Sequence, residues 1–481
     1  MVDKMRKIYL VIAVFFCTSL FAQKKPNILF IAVDDLNDWI GTMGGRDGMK
    51  TPNLDALAAQ GMLFTNAHCS SPSCNPSRAS VMTGVRPSTS GIYNNNQEWR
   101  TTSALANAVT IPEFFRKEGY AVKGGGKIFH GLSWTMTTYG KDQNDGKIWD
   151  EYFPSKTRSF PDDVWPETAL KDSTGYIKWD PVSGKGVGKR PPHFFDFGPL
   201  GEDELTSEYK VVDWAIQEVN KKQAKPLFLA VGLFRPHIPW FVPQKYFDMY
   251  PLSEVKLPQI KENDLEDVSP VAVKWLARDW HKWLLDSHLW EKAVQAYEAS
   301  ISYTDAMLGR LIDGLKKSGK MNNTIIVLWS DHGMHIGEKQ HWEKFTLWEE
   351  STRVPMIIVA PGITKPNTRS SQPVSLLDIY PTLVDMVGAK VFSQLEGKSI
   401  KPLLLNPSMK DIEPAITTWH YNNHAVRTER WRYIKYVNGD EELYDHQSDA
   451  NEFYNIAKQP GNRSLMDSLQ KWIPKINVEE K

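Results

Sequence analysis

The chain has 481 residues without an evident internal repeat, which allows one large domain together with a smaller one. Lysine and arginine number 57 together, as do aspartate and glutamate, so the formal net charge is zero. This balance excludes binding to nucleic acid or to an anionic membrane through a global field, and any anion site must be built locally.

The first 22 residues predict a signal peptide. A basic start over residues 4–7 precedes an apolar run over residues 8–17, and small and apolar residues follow up to Ala22. This run is too short to span a bilayer, and no later stretch is long and apolar enough to do so. A buried amino-terminal element and a lipidated Cys17 are the alternatives. We expect an exported protein, periplasmic or secreted, without a membrane span.

Apolar runs alternate with helical patterns along most of the chain. Residues 26–33 are continuously apolar and rich in β-branched side chains, which is typical of a strand buried on both faces. Such runs occupy residues 26–33, 120–122, 227–231, 324–329 and 354–359, and helical patterns occupy 54–60, 111–118 and about 294–315. This alternation predicts an α/β fold with a large, mostly parallel sheet between helices.

Two segments depart from this alternation. Residues from about 141 to 201 are rich in proline, glycine and tryptophan, and we interpret them as a long insertion on the active-site side. After Pro407, short alternating segments predict a small antiparallel subdomain. We therefore divide the chain into a signal peptide (1–22), a catalytic domain (23–406) and a C-terminal subdomain (407–481).

Acidic residues follow two of the predicted strands. Asp34 and Asp35 come directly after the first strand, and Asp331 and His332 come after residues 324–329. Ligands bind beyond the carboxyl ends of parallel strands, where paired carboxylates repel unless a cation lies between them. Hard oxygen ligands suit calcium or magnesium. A helix N-cap or a solvated turn is the alternative for either pair.

Removal of the signal peptide leaves two cysteines, Cys69 and Cys74. In an exported protein, these could close a short disulfide loop. The residues around Cys74 favour a role other than a disulfide, because residues 74–84 read CNPSRASVMTG. This segment resembles the C-x-P-S-R-x-x-x-T-G signature of the type I sulfatases.

The resemblance implies that a formylglycine-generating maturation enzyme oxidises Cys74 to formylglycine. The hydrated aldehyde carries two hydroxyls on one carbon. One can attack sulfur and hold a covalent sulfate ester, and loss of a proton from the other then expels sulfate. A plain thiol or serine has no second hydroxyl on the same carbon and so could not expel sulfate in this way. Cys69 is then a small buried residue.

The resemblance also implies a calcium site and the alkaline-phosphatase-like sulfatase fold with its smaller C-terminal antiparallel sheet. Calcium would be held by Asp34, Asp35, Asp331 and His332, with the formylglycine from Cys74 as a further ligand. The commoner pair at the second strand end in this family is Asp-Asn. The Asp-His pair of this chain matches the iduronate 2-sulfatase branch instead.

Three further motifs resemble catalytic segments of the same family: GKIFH at 126–130, RPHIP at 235–239 and WEK at 342–344. Without the resemblance, their charged residues fit solvated loops equally well. The implied roles are contact with the formylglycine for Arg78, sulfate binding for Lys127, proton abstraction for His130, proton donation to the leaving oxygen for His237, and bridging of sulfate and leaving oxygen for Lys344. Lys344 is the alternative to His237 as the group that protonates the leaving oxygen.

The resemblance extends from about Pro26 to Ala457, and within the family it is greatest to the iduronate 2-sulfatase branch. Candidate sugar-binding residues are Trp99, Arg100, His193, Trp342 and His420. Arginine can pair with a uronate carboxylate while tryptophan stacks on the sugar ring. Alternatively, the 18 tryptophans simply fill a large core and surface.

These observations predict hydrolysis of the sulfate ester of a sulfated saccharide, specifically a 2-O-sulfated uronic acid of a glycosaminoglycan or a similar acidic polysaccharide. One alternative is a sulfatase for another polysaccharide, such as an algal one. Hydrolysis of phosphodiesters or phosphonate esters with the same formylglycine is a second. The third is a non-catalytic binder of sulfated glycans, if Cys74 is never oxidised.

Overall fold

The computed structural model describes residues 25–131, 142–161, 179–180, 185–186, 196–410 and 412–480. The predicted signal peptide, most of the predicted insertion and the candidate residue His193 lie outside the described residues. Export therefore stays a prediction. Among the described helices, none is long and apolar enough to cross a membrane.

The centre of the fold is a nine-stranded sheet. Across the sheet the strands are, in order, Thr368–Ser370, Met62–His68, Arg353–Val359, Thr324–Ser330, Asn27–Val33, Leu227–Leu233, Ala121–Gly126 and Glu151–Phe153, and Val374–Ser375 pairs with Met62–His68 as well. All of them point the same way except Arg353–Val359, which is antiparallel to both neighbours. The prediction of a mostly parallel sheet is confirmed.

The one antiparallel strand has a simple physical origin. A parallel neighbour needs a crossover connection, usually a helix that packs on the sheet. The connection from Ser330 to Arg353 contains only a small hairpin and the one-turn helix Glu349–Thr352. The chain therefore returns beside the strand it has just left.

Helices cover both faces of the sheet. In the strand Asn27–Val33, residues 28, 30 and 32 pack into one apolar core and residues 29, 31 and 33 into the other, as the two-residue period of a strand requires. Each large side chain buried in this way contributes about 1.5–3 kcal/mol relative to an exposed one. One core contains Pro52–Ala58, Ser207–Asn220, Gln244–Phe247, Arg278–Asp286 and Trp290–Lys317, and the other contains Cys74–Thr83, Ile111–Lys117, Ile379–Met386 and Lys401–Leu405.

The local sequence explains where key helices begin and end. The helix Ile111–Lys117 begins with a capping box, in which Thr110 and Glu113 bond each other's backbone N–H groups. The helix Cys74–Thr83 ends at Gly84, whose φ of 72° lies in the left-handed region that glycine adopts readily. The remaining described α-helices are Pro87–Ser90, Pro270–Val273 and Arg463–Gln470.

The C-terminal region forms the antiparallel sheet that was predicted. Its four strands are Ala415–Thr418, His424–Arg427, Trp431–Lys435 and Glu441–Asp445, in that order. A buried ionic network attaches this sheet to the helix Glu349–Thr352: Glu349 pairs with Arg427 at 3.1 Å and with Arg432, which also pairs with Glu452. The domain boundary at residue 407 stays a prediction.

Candidate active site

The polar residues predicted from strand ends meet at one edge of the sheet. Four neighbouring strands, which end at Ser330, Val33, Leu233 and Gly126, all point the same way. The side chains that follow these strands are, respectively, Asp331 and His332, Asp34 and Asp35, His237, and Lys127 and His130. All seven side chains are buried. The carboxyl edge of the sheet thus concentrates charged groups in a place where burial strengthens their interactions.

Cys74 lies at the centre of these residues. It is the first residue of the helix Cys74–Thr83 and is 1% exposed. Its Sγ atom lies 3.2 Å from Nε2 of His332 and 3.8 Å from Nζ of Lys127. Both Cys74 and Cys69 are free thiols, so the disulfide alternative is wrong. Cys69 is fully buried, as expected of a small core residue.

Positive charge dominates the surroundings of the Cys74 thiol. Burial alone would raise its pKa, but the charges of Lys127, Lys344 and His332 outweigh burial, and the pKa lies well below the usual value for cysteine. The pocket therefore stabilises a negative charge at position 74.

Arg78 organises the acidic residues beneath the thiol. It is completely buried, and its Nε donates to Oδ2 of Asp331 at 2.7 Å while Nη2 donates to Oδ1 of Asp34 at 3.0 Å. Its Nη1 donates to the backbone oxygens of Lys127 and Ile128. The planar guanidinium thus fixes side chains or backbone from three of the strand ends.

Four residues form a group that could hold a cation: Asp34, Asp35, Cys74 and His332, whose ligand atoms all lie within 4.8 Å of one another. Carboxylate oxygens are the ligands that a hard cation such as Ca²⁺ prefers. Asp331 is outside this group. Its Oδ2 pairs with Arg78, and its Oδ1 accepts the N–H groups of Asp35 at 3.2 Å and His332 at 3.1 Å. Its predicted role as a ligand stays a prediction.

Two lysines balance the carboxylates. Nζ of Lys127 contacts Oδ2 of Asp34, and Nζ of Lys344 lies 2.9 Å from both oxygens of Asp35. Asp35 has a φ of 57°, and its carbonyl accepts a 2.7 Å hydrogen bond from the hydroxyl of Tyr297. Burial alone would lower the pKa of Lys344, but the charge of Asp35 outweighs it and raises the pKa. Lys344 is therefore cationic at neutral pH.

The two predicted catalytic histidines differ in their surroundings. Burial lowers the pKa of His130 in spite of its hydrogen bond with Cys74, so this imidazole is neutral near pH 7. Its Nδ1 has no partner among the described residues. Nδ1 of His237 contacts the carbonyl of Ile238, and its Nε2 lies 3.9 Å from Oδ2 of Asp35. A neutral imidazole can accept a proton, which suits the role predicted for His130.

The described sugar-binding candidates each contact other parts of the protein. Trp99 is buried and stacks on Phe129 at 5.0 Å, so its ring offers no open face to a sugar. Arg100 forms ion pairs with Glu113 at 3.2 Å and Asp145 at 2.8 Å.

The other two described candidates also have protein partners. Trp342 is fully buried and donates to Nδ1 of His281 at 3.2 Å. His420 is partly exposed and pairs with Glu480 at 2.9 Å. Sequence interpretation selected these residues by type and position, whereas their partners come from distant parts of the chain.

Two supporting residues were missed. The hydroxyl of Ser77 donates to the carbonyl of Asp331 at 2.6 Å, and Tyr297 orients Asp35 from the long helix. Ser77 could have been found, because it lies within the CNPSR segment. Tyr297 gave no separate signal, since it falls on the apolar face of a helical pattern.

The sheet edge brings together a buried cysteine, a group that could hold a cation and two lysines, an arrangement suited to anionic esters. The sulfatase family model matches residues 26–389, and the model for the C-terminal region of N-sulphoglucosamine sulphohydrolase matches residues 337–479. The chain belongs to the sulfatase family, and it is a sulfuric ester hydrolase.

Individual relatives agree with this assignment. A sulfatase of Formosa agariphila is 40% identical over 94% of this chain and 87% of its own length. Human iduronate 2-sulfatase is 30% identical over 76% of this chain and 69% of its own length. A solved structure of a 2-O GAG sulfatase superimposes with a TM-score of 0.70 at 21% identity, covering 93% of this chain and 91% of the other, which confirms the fold.

Proposed function

We propose that the chain removes sulfate from a sulfated saccharide, after a maturation enzyme has oxidised Cys74 to formylglycine. The observation that carries this proposal is the positive charge of Lys127, Lys344 and His332 around a buried residue 74. A pocket that favours negative charge at this point also favours an anionic ester next to it. The CNPSRASVMTG segment lies within the matched part of the family model and supports the modification.

When present, formylglycine would supply a hydrated aldehyde with one hydroxyl for attack on sulfur and a second for release of sulfate. The chain's own residues serve this chemistry in distinct ways. Lys127 and Lys344 each carry three N–H donors, and their contacts with Asp34 and Asp35 leave donors over for the sulfate oxygens.

Proton transfer is divided between the two histidines. His130 is neutral because it is buried, and its hydrogen bond with Cys74 places it where a proton must be removed. His237 follows the strand Leu227–Leu233, and its Nε2 lies 3.9 Å from Oδ2 of Asp35. We assign proton donation to the leaving sugar oxygen to this residue, because an imidazole can deliver a proton near neutral pH.

We further propose Ca²⁺ as the resident cation, held by Asp34, Asp35 and His332 together with residue 74. A bound cation would offset the repulsion between the carboxylates and polarise the sulfate. Support comes from the compact donor group and from the two carboxylates, Asp34 and Asp35, that belong to it.

Removal of the metal gives the first prediction. Chelated protein should lose at least about 100-fold in kcat/KM on 4-nitrophenyl sulfate, and added Ca²⁺ should restore it. Ca²⁺ should also raise the unfolding temperature of the metal-free protein, because a ligand that binds only the folded state stabilises it. An Asp35→Asn variant should lose that rise. Full activity in protein shown by elemental analysis to be metal-free would contradict the proposal.

For the sugar itself, we propose a 2-O-sulfated uronic acid. The 30% identity with human iduronate 2-sulfatase, the Asp331-His332 pair and the GKIFH segment support it. Arg100, the predicted partner of the uronate carboxylate, forms ion pairs with Glu113 and Asp145, so a uronate would compete with these two carboxylates for it.

The substrate proposal is tested with matched disaccharides. We expect kcat/KM for a 2-O-sulfated unsaturated uronate disaccharide to exceed that for a 6-O-sulfated hexosamine disaccharide by at least about 100-fold, since misplaced hydroxyls leave buried polar groups unpaired. Activity confined to the hexosamine would rule out the uronate. A higher turnover of an aryl phosphonate than of the aryl sulfate with the same leaving group would favour the phosphonate alternative.

A further inference from the structure

A buried histidine outside the catalytic group contacts the backbone of one of the active-site lysines. Nε2 of His341 contacts the carbonyl oxygen of Lys344, and its Nδ1 lies 2.8 Å from the backbone nitrogen of Ala277. His341 is fully buried. Ala277 immediately precedes the helix Arg278–Asp286. The imidazole therefore joins the start of this helix to the backbone of Lys344.

The two partners determine which ring nitrogen of His341 carries the proton. A backbone N–H can only donate, so Nδ1 must accept from Ala277 and carries no proton. A carbonyl oxygen can only accept, so Nε2 must carry the proton and donate it to Lys344. Burial lowers the pKa of His341 to about 4, so the ring is neutral at pH 7 and holds this single tautomer.

The carbonyl of Lys344 belongs to a peptide unit that is held at both of its polar ends. The N–H of this unit is that of Phe345, which donates to the carbonyl of Pro72 at 3.1 Å, two residues before the active-site cysteine. The carbonyl of the unit accepts from His341. This one peptide unit thus connects the segment before the cysteine with the buried histidine.

The backbone around Lys344 needs such support. Glu343 has a φ of 77° and Phe345 has a φ of 71°, both in the left-handed region that non-glycine residues seldom adopt. Strained residues of this kind persist only where the surroundings enforce their conformation. Because the two residues flank Lys344, a small rotation of the peptide units between them would move the lysine side chain.

The position of this side chain matters for the chemistry. Nζ of Lys344 lies 2.9 Å from both oxygens of Asp35, and the lysine side chain is 2% exposed. A group that stabilises charge on the sulfate is effective only if its donors point at the reacting atoms, and a displacement of about 1 Å can cost about 100-fold in rate. A residue that fixes the backbone of Lys344 can therefore affect the reaction without contacting the substrate.

We propose that His341 is a positioning residue for Lys344: its Nε2–H holds the lysine carbonyl and so places the lysine Nζ beside Asp35 for contact with the sulfate. The role of Lys344 in binding sulfate belongs to the function proposed above, and the assignment of His341 rests on it. Contact between His341 and the substrate is not part of this assignment.

Two variants at this position separate the two hydrogen bonds. The side-chain amide of glutamine reaches the place of Nε2 and still donates to Lys344, whereas the shorter asparagine reaches only the place of Nδ1 and keeps the bond to Ala277. His341→Asn should therefore lower kcat/KM for 4-nitrophenyl sulfate by about 10- to 100-fold. His341→Gln should stay within about 3-fold of the wild type. A glutamine variant as impaired as the asparagine variant would overturn the assignment.

A double-mutant cycle shows whether His341 acts through the lysine. Lys344→Ala alone should lose about 100- to 1000-fold in kcat/KM. Adding His341→Asn to it should change kcat/KM by less than about 3-fold, because the group to be positioned is gone. Losses that multiply in the double variant would mean that His341 acts independently of Lys344, and would overturn the assignment.

His424→Asn is the matched control. His424 is also buried, and burial also lowers its pKa to about 4, but its Nδ1 contacts the hydroxyl of Thr418 at 3.0 Å in the C-terminal sheet. This variant should keep kcat/KM within about 3-fold of the wild type. A loss equal to that of His341→Asn would show that removal of a buried imidazole is enough to impair the enzyme, and would also overturn the assignment.

The tautomer can be measured in the wild-type protein, even if the asparagine variant does not fold. Nitrogen-15 NMR of protein labelled at histidine, with the His341 signals identified by their absence from His341→Gln, should show a neutral ring with its proton on Nε2 at pH 7. A proton on Nδ1, or on both nitrogens, would overturn the assignment. Failure of the proposed function would look different, because wild-type protein that carries formylglycine would then not hydrolyse 4-nitrophenyl sulfate at all.

Discussion

Replacing Cys74 with alanine should lower kcat for 4-nitrophenyl sulfate by about 10⁴-fold or more, because the side chain that becomes the nucleophile is gone. The lysines, the carboxylates and His130 would remain, and they should still bind the sulfate group. We therefore expect the loss mainly in kcat. Steady-state kinetics, with the unfolding temperature measured on the same samples, provide the check.

Cys69→Ala is the control for this variant. Cys69 is also a free and buried thiol, but its Sγ faces the carbonyl of Ser351 at 3.7 Å and takes no part in the site. The control should retain kcat within about threefold while losing some stability, as expected of a large-to-small change in a core. A Cys74→Ala enzyme with a tenth or more of the wild-type kcat would refute the role of this residue.

Replacing Arg78 with alanine should lower the free energy of unfolding by about 3–5 kcal/mol, the usual result of removing one partner from a buried ionic network. Arg78 is fully buried, and its guanidinium pairs with Asp34 and Asp331, which are equally buried. The variant would remove the guanidinium from both carboxylates and leave Asp34 with Lys127 and Asp331 with His332. Denaturant unfolding, followed by circular dichroism, measures the difference.

Arg463→Ala offers a matched comparison. Arg463 also pairs with two carboxylates, Glu441 and Asp467, but its side chain is 54% exposed. Exposed pairs contribute little, so this variant should lose less than about 1 kcal/mol. Equal losses in the two variants would show that burial of the Arg78 network adds nothing to stability.

Much of the fold could be predicted because its signals are local. A strand buried on both faces reads as an unbroken apolar run, as residues 26–33 do, and its end marks where Asp34 and Asp35 stand. The direction of a strand is not local information, since it depends on what the connection packs against. For that reason the antiparallel orientation of Arg353–Val359 did not emerge from its sequence.

The difference between local signals and long-range contacts also explains which site residues could be predicted from the sequence. Cys74, Asp34, Asp35 and His332 were selected from motifs at strand ends, and the structure brings their ligand atoms within 4.8 Å of one another. The predicted sugar contacts depended on which side chains remain free, and this is set by distant partners.

Arg100 shows this most directly. Its partners Glu113 and Asp145 lie 13 and 45 residues further along the chain, so no local pattern reveals that its charge is already taken.

Mass spectrometry of the peptide that contains residue 74, in protein purified from the native host, tests the central claim most directly. The account predicts that the peptide carries formylglycine, or its hydrate, in place of cysteine. An unmodified thiol at Cys74 in that protein would contradict the catalytic account and leave a binder of sulfated glycans as the alternative.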